Sequence, residues 1–241
     1  MALHHYICDV FNLSSEIQIR CNSKYLSEFP DTRVVDNLEE HGRYGQLLSN
    51  EFYESIQVKN CLGMYTDFFI HPESHVFSVN HLLCKDSAWV RREHLLQFRG
   101  RSAVFCQADL INTSDVIEFI DDWLNGSNTK LELMLISNNI SFNKKEILER
   151  FDVFPWDPKK RGGRFRWPPT LKKSILTDPL DCTQGMDIER ESDGMLATLI
   201  IHDNEFRFYV WHERFPDPST TRAILYKIMG CNMFYVGSVS L

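Results

Sequence analysis

The N-terminal quarter of the chain shows short alternations of polar and apolar residues. Residues 16–21 and 55–59 alternate with a period of two, which is typical of a strand that buries one face. The stretch 31–46 between them is polar, rich in charge and interrupted by glycine, so it predicts a loop or a short helix over 36–42. We therefore expect residues 1–60 to form short strands joined by loops.

Predicted strands and helices alternate in the middle of the chain. Short apolar runs over 77–83, 102–106 and 131–136 predict three strands, and helical patterns over 88–96 and 113–124 lie between them. A strand, a helix and a strand in succession require a crossover, so neighbouring strands should be parallel. With about 25 to 30 residues per unit, this alternation is similar to an irregular leucine-rich-repeat layer.

The segment 113–124 carries the clearest helical pattern in the chain. Ser114 is the expected N-cap, carboxylates follow in the first turn, and Gly126 suits the left-handed residue that ends a helix. One face of this helix is apolar, through Val116, Ile117, Phe119, Ile120, Trp123 and Leu124. We expect this face, with Trp123 on it, to be buried in the core.

A meander of hairpins dominates the C-terminal part. It follows a short helix predicted over 144–151 and a proline- and glycine-broken segment, 155–169, that predicts a loop. A final helix is predicted over 220–229, after two prolines. Turn residues separate the three strands expected in the meander, 186–190, 195–201 and 206–211.

These elements predict an α/β fold. A leucine-rich-repeat-like layer of strands and helices should lie in the centre, with antiparallel β-hairpins at both ends. We divide the chain into an N-terminal strand and loop region at 1–70, a central domain core at 76–141, and a remainder at 142–241. The remainder holds the basic loop, the meander and the final helix, packed on the same fold.

Composition narrows the class of protein. The 241 residues carry a formal net charge of −7, which argues against a general nucleic-acid coat but leaves room for a local basic site. No apolar stretch reaches the roughly 20 residues that a membrane span needs, and the first residues do not form a secretory signal. We expect a cytoplasmic or nuclear protein that does not contact a membrane.

The residue types that carry catalysis do not form recognisable constellations. The seven cysteines are widely spaced, so buried reduced thiols are expected rather than disulfides or a zinc site. His71 and His75 have a metal-ligand spacing, but Pro72 places them in a loop. His202 and Asp203 fall in a predicted turn, where a solvated pair is expected. The sequence therefore predicts a protein that is not an enzyme and needs no metal or cofactor.

A basic loop is the sharpest candidate for a binding site. The segment 159–173 holds seven basic residues and no acidic one, with two glycines and two aromatic side chains among them. Such a loop suits an acidic peptide, a phosphopeptide or RNA, although a charge run is more often a solvated face. Trp156 is the candidate for an exposed anchor. The predicted partner-binding residues are Trp156, Lys159, Lys160, Arg161, Arg164, Arg166 and Trp167.

An ordered series of segments resembles one known family, the nematode F-box-associated domain of type 2. The series consists of 89–96 around Trp-Val-Arg-Arg-Glu-His-Leu-Leu, 115–127 with Trp-Leu-Asn-Gly, and Leu-Glu-Leu at 131–133. The hairpin at 187–199 and the strand at 206–211 resemble the segment that often closes such chains. The chain departs from the family at Ile117, where Asn is frequent, and at Asp121, where Lys is frequent.

The resemblance implies a substrate-binding role without chemistry of its own. Such proteins usually pair this domain with an F-box, which docks on the Skp-type adaptor of a cullin ubiquitin ligase. Residues 1–60 do not resemble an F-box, so adaptor binding is left open. The expected function is a protein-interaction module in this pathway, with an unknown protein substrate. The alternatives are anionic-ligand or, less expected, nucleic-acid binding through 159–173, and an F-box-less paralogue with no ligase role.

Overall fold

An eleven-stranded mixed sheet runs through the described part of the protein. The computed structural model describes residues 17–21, 32–40, 49–65, 67–166, 180–215 and 233–235 and the single positions 6 and 10. The strands are β1 (Gln18–Cys21), β2 (Val34–Glu40), β3 (Gln57–Met64), β4 (His81–Cys84), β5 (Ser102–Phe105), β6 (Leu133–Ser137), β7 (Phe154–Pro155), β8 (Arg164–Phe165), β9 (Leu180–Asp181), β10 (Met186–Arg190), β11 (Met195–His202), β12 (Glu205–Val210) and β13 (Met233–Tyr235). The helices are α1 (Asn50–Ser55), α2 (Arg92–Gln97), α3 (Thr113–Leu124) and α4 (Lys144–Arg150), with a 3₁₀ turn at His75–Ser78.

Strand direction divides the sheet into two halves. β1 to β6 pair in chain order and run parallel, and β13 joins β1 in the same direction. Beyond β6 the order is β12, β11, β10 and β7, each antiparallel to its neighbour. The predicted α/β class, the parallel order of the middle strands and the C-terminal meander are confirmed. The predicted hairpin at the N-terminal end is wrong, because β1, β2 and β3 pair parallel.

The polar stretch around β2 forms a strand, contrary to the prediction of a loop or a short helix. Val35 and Leu38 supply its core face. Glu40 is also buried, and its carboxylate accepts hydrogen bonds from the Tyr53 hydroxyl at 2.7 Å and from the Tyr65 amide at 2.8 Å. The charges of β2 are thus satisfied by partners from elsewhere in the chain, which a period-two pattern does not reveal.

Two predicted elements of the middle region start later than expected. Phe77 lies in the 3₁₀ turn, and β4 begins only at His81. Trp89 precedes α2 and packs edge-on against His94, with ring centroids 5.2 Å apart. The final helix predicted over 220–229 lies outside the described residues.

Helix α3 has the predicted bounds but a different cap. Asn112, not Ser114, is the N-cap: its side-chain oxygen accepts from the Ser114 amide at 2.8 Å, and Asp115 bonds back to the Asn112 amide at 2.9 Å. This reciprocal pair satisfies donors that an α-helix leaves open at its start. At the other end, Gly126 has the predicted left-handed conformation, with φ of 86°.

Arg190 ties the end of α3 to the meander. Its guanidinium donates to the Trp123 carbonyl at 3.0 Å, lies 4.5 Å from the centroid of the Trp123 ring, and forms two bonds with the Asp193 carboxylate. Arg150 lies 3.4 Å from Asp121. These cations offset the negative charge that the sequence places in the last turn of α3, where the helix dipole disfavours it.

The loops that follow four successive parallel strands share one spacing. In each case a core-facing residue near the strand end is followed, six residues later, by another buried apolar residue. In α2, α3 and α4 the N-cap comes directly after that residue. Equal spacing stacks the four loops side by side at the carboxyl ends of the strands. The pairs are Met64 and Ile70, Cys84 and Val90, Phe105 and Ile111, and Ile136 and Phe142.

Both faces of the sheet carry a core. Helices α1 to α4 each contribute to the larger core on one face, through Tyr53, Leu95, Phe119 and Ile147 among others. The opposite face has a smaller core, which Phe165 and Cys182 help to form above the sheet. Its sheet residues are Leu83, Val104, Leu133, Leu135, Leu196, Tyr209 and Trp211. The segment that holds the basic loop therefore packs on the face opposite the helices.

Two buried histidines make the stability of the fold depend on pH. The Nδ1 atom of His94 accepts from the Arg91 amide at 2.9 Å, so the ring proton sits on Nε2, which bonds the Ile70 carbonyl at 2.9 Å. Burial lowers the pKa of His94 and, on β4, that of His81. Both rings are therefore held in the neutral form.

We expect the free energy of unfolding to fall as the pH drops below about 6.5, the pKa of histidine in an unfolded chain. The unfolded chain then binds protons that the buried rings resist, so neutral-pH stability is lost on acidification. Urea unfolding measured between pH 8 and pH 5 checks this. His94→Gln should flatten the profile, whereas the same change at the exposed His202 should leave it as in the wild type. Parallel profiles for all three proteins would contradict the assignment.

Candidate partner-binding surfaces

The segment 154–166 is a braced loop rather than a free one. Phe154 and Pro155 form β7 against β10, and β8 pairs with β9. Between these strands the Lys160 and Arg161 amides bond back to the Asp157 carbonyl and close a turn. The predicted irregular loop is thus anchored to neighbouring strands on both sides.

Arg161, a predicted partner-binding residue, is buried in this structure. Its side chain has no exposed surface and forms a bidentate ion pair with Asp187, with N–O distances of 2.8 to 3.1 Å. Remaining donors bond the Gly162 and Cys182 carbonyls. The guanidinium also lies 4.6 Å from the centroid of the Trp211 ring. A partner would have to open this ion pair to reach Arg161.

Asp187 is satisfied as fully as its partner. The Thr198 hydroxyl donates to the Asp187 carboxylate at 2.6 Å, and the Trp211 indole in turn donates to the Thr198 oxygen at 2.8 Å. The result is a closed buried network on the face opposite the helices. Such a network stabilises only as a unit, because removing one partner leaves a buried charge alone.

The other residues of the predicted site differ in what they offer. Lys160 lies over the Phe154 ring at 3.8 Å and 3.9 Å from Glu189. Lys159 and Arg164 are exposed, and Arg166 is half-buried. Trp156 is half-buried and donates to the Arg161 carbonyl at 3.3 Å, so only part of it faces solvent. Trp167 lies outside the described residues.

Ser74 and His75 are adjacent but are not arranged as a nucleophile with its base. Glu54 stands between the Ser74 hydroxyl and Nδ1 of His75, and Nε2 of His75 contacts the Ile56 carbonyl, so the imidazole does not face the hydroxyl. His202 and Asp203 are exposed at a turn. Among the described residues, no three acidic, histidine or cysteine side chains are grouped as a metal site.

The described cysteines are unpaired and poorly reactive. Cys21, Cys61, Cys84, Cys106 and Cys182 are free thiols, as predicted. Burial raises the pKa of three of them to about 12 and raises that of the other two as well. At neutral pH they are therefore protonated, and the thiolate that reacts as a nucleophile is scarce.

Three large apolar side chains are exposed on the stacked loops at the carboxyl ends of the strands. Phe69, Leu110 and Ile140, here called the edge row, are 47%, 52% and 50% exposed. The loops are joined to one another, since the Asp109 carboxylate bonds both nitrogens of Asn139. With strands about 4.8 Å apart, the row spans about 14 Å from the loop after β3 to the loop after β6. Exposed apolar residues gathered in this way mark interaction surfaces.

Carboxylates border the edge row. Asp67, Asp86 and Asp109 lie on the same loops, and Asp203 lies on the turn between β11 and β12, where its carbonyl accepts from the Phe142 amide at 2.7 Å. Beside Phe69 the border also carries a cation, since the Arg91 guanidinium lies 5.7 Å from the centroid of that ring. The part around Leu110 and Ile140 has apolar residues beside carboxylates, which is complementary to a segment with apolar and basic side chains.

Most of the edge row lies in a part of the chain that matches a known protein family. Residues 65–136 match the family model described as F-box associated. The segment therefore belongs to the F-box-associated family, which confirms the resemblance predicted from the sequence. Phe69 and Leu110 lie within it, and Ile140 lies just beyond.

Curated relatives come from Caenorhabditis elegans. The chain is 32% identical to uncharacterized protein F59B2.8 over 61% of its own length and 34% of that protein. It is 29% identical to F59B2.9 (58% and 32%) and 33% identical to F54H12.5 (59% and 39%), both also uncharacterized. The chain thus spans about a third of the length of these relatives. No solved structure matches. No helix among the described residues is both long and apolar enough to cross a bilayer.

Replacing Arg161 tests whether it is structural. Arg161→Ala should lower the free energy of unfolding by about 3–5 kcal/mol, because Asp187 is left buried and unpaired. Lys159→Ala should change it by no more than about 0.5 kcal/mol, as is usual at exposed positions. Chemical denaturation of both variants measures this. Equal stability of the two would show that Arg161 is not held in the core in solution.

Proposed function

We propose that this protein is a non-catalytic interaction module that holds a protein substrate for an F-box-type ubiquitin ligase. The observation that carries the proposal is the F-box-associated match over 65–136. As part of the same proposal, we interpret the parallel half as an irregular leucine-rich-repeat-like layer. Support comes from strands paired in chain order, helices on one face and equally spaced loops.

We assign substrate contact to the edge row. Phe69, Leu110 and Ile140 project from loops that the six-residue spacing holds in fixed positions, so the surface is formed before binding. A preformed surface loses little conformational entropy on association. The bordering carboxylates favour a partner segment with apolar side chains flanked by Lys or Arg.

The double variant Leu110→Asp, Ile140→Asp should lose its protein substrate, because two carboxylates replace the apolar contact. Proximity labelling with the tagged full chain in nematode cells identifies the neighbours of the wild type. Quantitative co-precipitation then measures each one. We expect at least about a tenfold loss for the substrate, which corresponds to about 1.4 kcal/mol of binding free energy.

Phe215→Asp provides the matched control, since Phe215 is an apolar residue of similar exposure, 57%, outside the edge row. It should keep the substrate. Recovery of the Skp-type adaptor with the wild type would support the ligase role, and its absence would favour a paralogue outside the ligase. Unchanged co-precipitation with the double variant would exclude the edge row as the contact surface.

A second candidate function is anionic-ligand or nucleic-acid binding through the loop 159–173. The exposure of Lys159 and Arg164 favours it, but the burial of Arg161 and the contacts of Lys160 leave less free charge than the sequence indicates. If this loop binds RNA, the affinity should fall steeply with salt, and Lys159→Ala with Arg164→Ala should reduce that slope. Filter binding of a single-stranded RNA at low and moderate salt measures it. Binding that is absent at low salt would eliminate this function.

A further inference from the structure

A second surface lies at the opposite end of the parallel strands from the edge row. It is a groove of 640 Å³ where β2 and β3 begin, bordered by the end of α1 and by the 3₁₀ turn. Its volume falls within the range of about 300–1,000 Å³ that is common for ligand sites. The groove is open to solvent rather than enclosed, which suits a segment of another chain better than a fully enclosed small molecule. Most of its lining residues precede the segment that matches the F-box-associated family, whereas His75, Ser78 and Val79 lie within that segment.

The floor of this groove is apolar. Val34, Val58 and Val79 line it, and Val34 keeps 36% of its surface exposed at the beginning of β2. Ile56, which follows α1, contributes a buried side chain beside them. An apolar side chain of a ligand would cover surface here that now faces water.

The rim of the groove is positively charged. Arg33 is exposed and forms no ion pair with any described residue. Lys59 is 59% exposed, and its nearest carboxylate, that of Asp36, is 3.9 Å away. The protein as a whole is acidic, with a net charge of −7, so a local pair of cations beside an apolar floor is a distinct feature.

Among the residues that the structure describes, a single carboxylate lines the groove, and it is already engaged. Glu54 accepts from the Ser74 hydroxyl and contacts Nδ1 of His75 at 3.1 Å, while Nε2 of His75 contacts the Ile56 carbonyl at 3.1 Å. Glu54 is therefore held against the 3₁₀ turn and is not an ion-pair partner of either rim cation. Among the described residues, Arg33 therefore has no ion pair and Lys59 has only the long contact to Asp36, so both cations can also contact an anionic group from outside.

We propose that this groove binds an acidic segment of a protein partner. One carboxylate or phosphate of the segment lies between Arg33 and Lys59, and a neighbouring apolar side chain lies on the valine floor. Charge-assisted hydrogen bonds from a guanidinium and an ammonium are the strong contacts that such an anion prefers. The site is independent of the edge row, so the module has two ends that contact different chemistries.

Fluorescence anisotropy with the full chain tests the groove. The probes are three labelled peptide pools of equal length, in which an apolar residue stands next to glutamate, to phosphoserine or to unmodified serine. The glutamate pool, the phosphoserine pool or both should bind more tightly than the serine pool. Binding of both identifies a general anion site, and binding of the phosphoserine pool alone identifies a phosphate site. Equal or absent binding of all three pools would overturn the proposal.

Charge variants locate the binding. Arg33→Glu with Lys59→Glu should weaken binding of the acidic pool at least about tenfold. The control Lys144→Glu with Lys145→Glu makes the same change in net charge at two exposed positions of α4 and should leave the affinity unchanged. If the first pair lowers the thermal stability, Arg33→Gln with Lys59→Gln replaces it and should give a weaker loss in the same direction. An equal loss in the control would attribute the effect to overall charge and refute the site.

The edge-row variant separates this proposal from the proposed function. Leu110→Asp with Ile140→Asp should keep the affinity for the acidic pool, since those residues lie at the other end of the strands. Loss of acidic-peptide binding in that variant would overturn the groove as a separate site. Retention of peptide binding together with unchanged substrate capture would instead count against the edge row alone.

Discussion

Strand β10 carries two buried charges, one on each face of the sheet, and each bonds an element that packs on its face. Asp187 and Arg190 are three residues apart, so their side chains lie on opposite faces. Asp187 pairs with Arg161 and fixes the braced loop to one face, whereas Arg190 bonds the end of α3 on the other. Each charge would be costly to bury alone, so each requires its partner. The position of the loop and of the central helix thus depends on one strand.

The elements that the sequence predicts well are those whose cause is local. Helix α3 has its own apolar face and stop glycine, and the meander has its own turns, so neither needs distant information. β2 is different, because Glu40 reads as a solvated loop residue until Tyr53 and Tyr65 are placed beside it. The burial of Arg161 is not predicted for the same reason, since its ion-pair partner Asp187 lies 26 residues further along the chain.

The binding surfaces were less accessible to sequence reasoning than the fold. A run of basic residues, such as 159–173, can be recognised in the sequence. The sequence does not show which of its cations face solvent, because that depends on the burial of each side chain. The edge row leaves a subtler signal. The six-residue step that ends at Ile70, Val90, Ile111 and Phe142 is present in the sequence, and it identifies the loops that stack. Only when this six-residue spacing is recognised does the sequence indicate that exposed apolar residues on those loops lie along the same edge of the sheet.

Rigid loops hold the three apolar side chains of the edge row in a fixed arrangement. The edge row lies on loops whose amides bond neighbouring strands and whose buried residues anchor them in the core, as the Ala108 amide bonds the Ser137 carbonyl at 2.8 Å. Side chains on such loops keep their spacing, so in the proposed interaction the choice of partner would follow from their chemistry rather than from folding on contact. Substitutions on the loops should therefore change the proposed contact surface while the sheet and the bonds of the buried Asp187 and Arg190 stay the same.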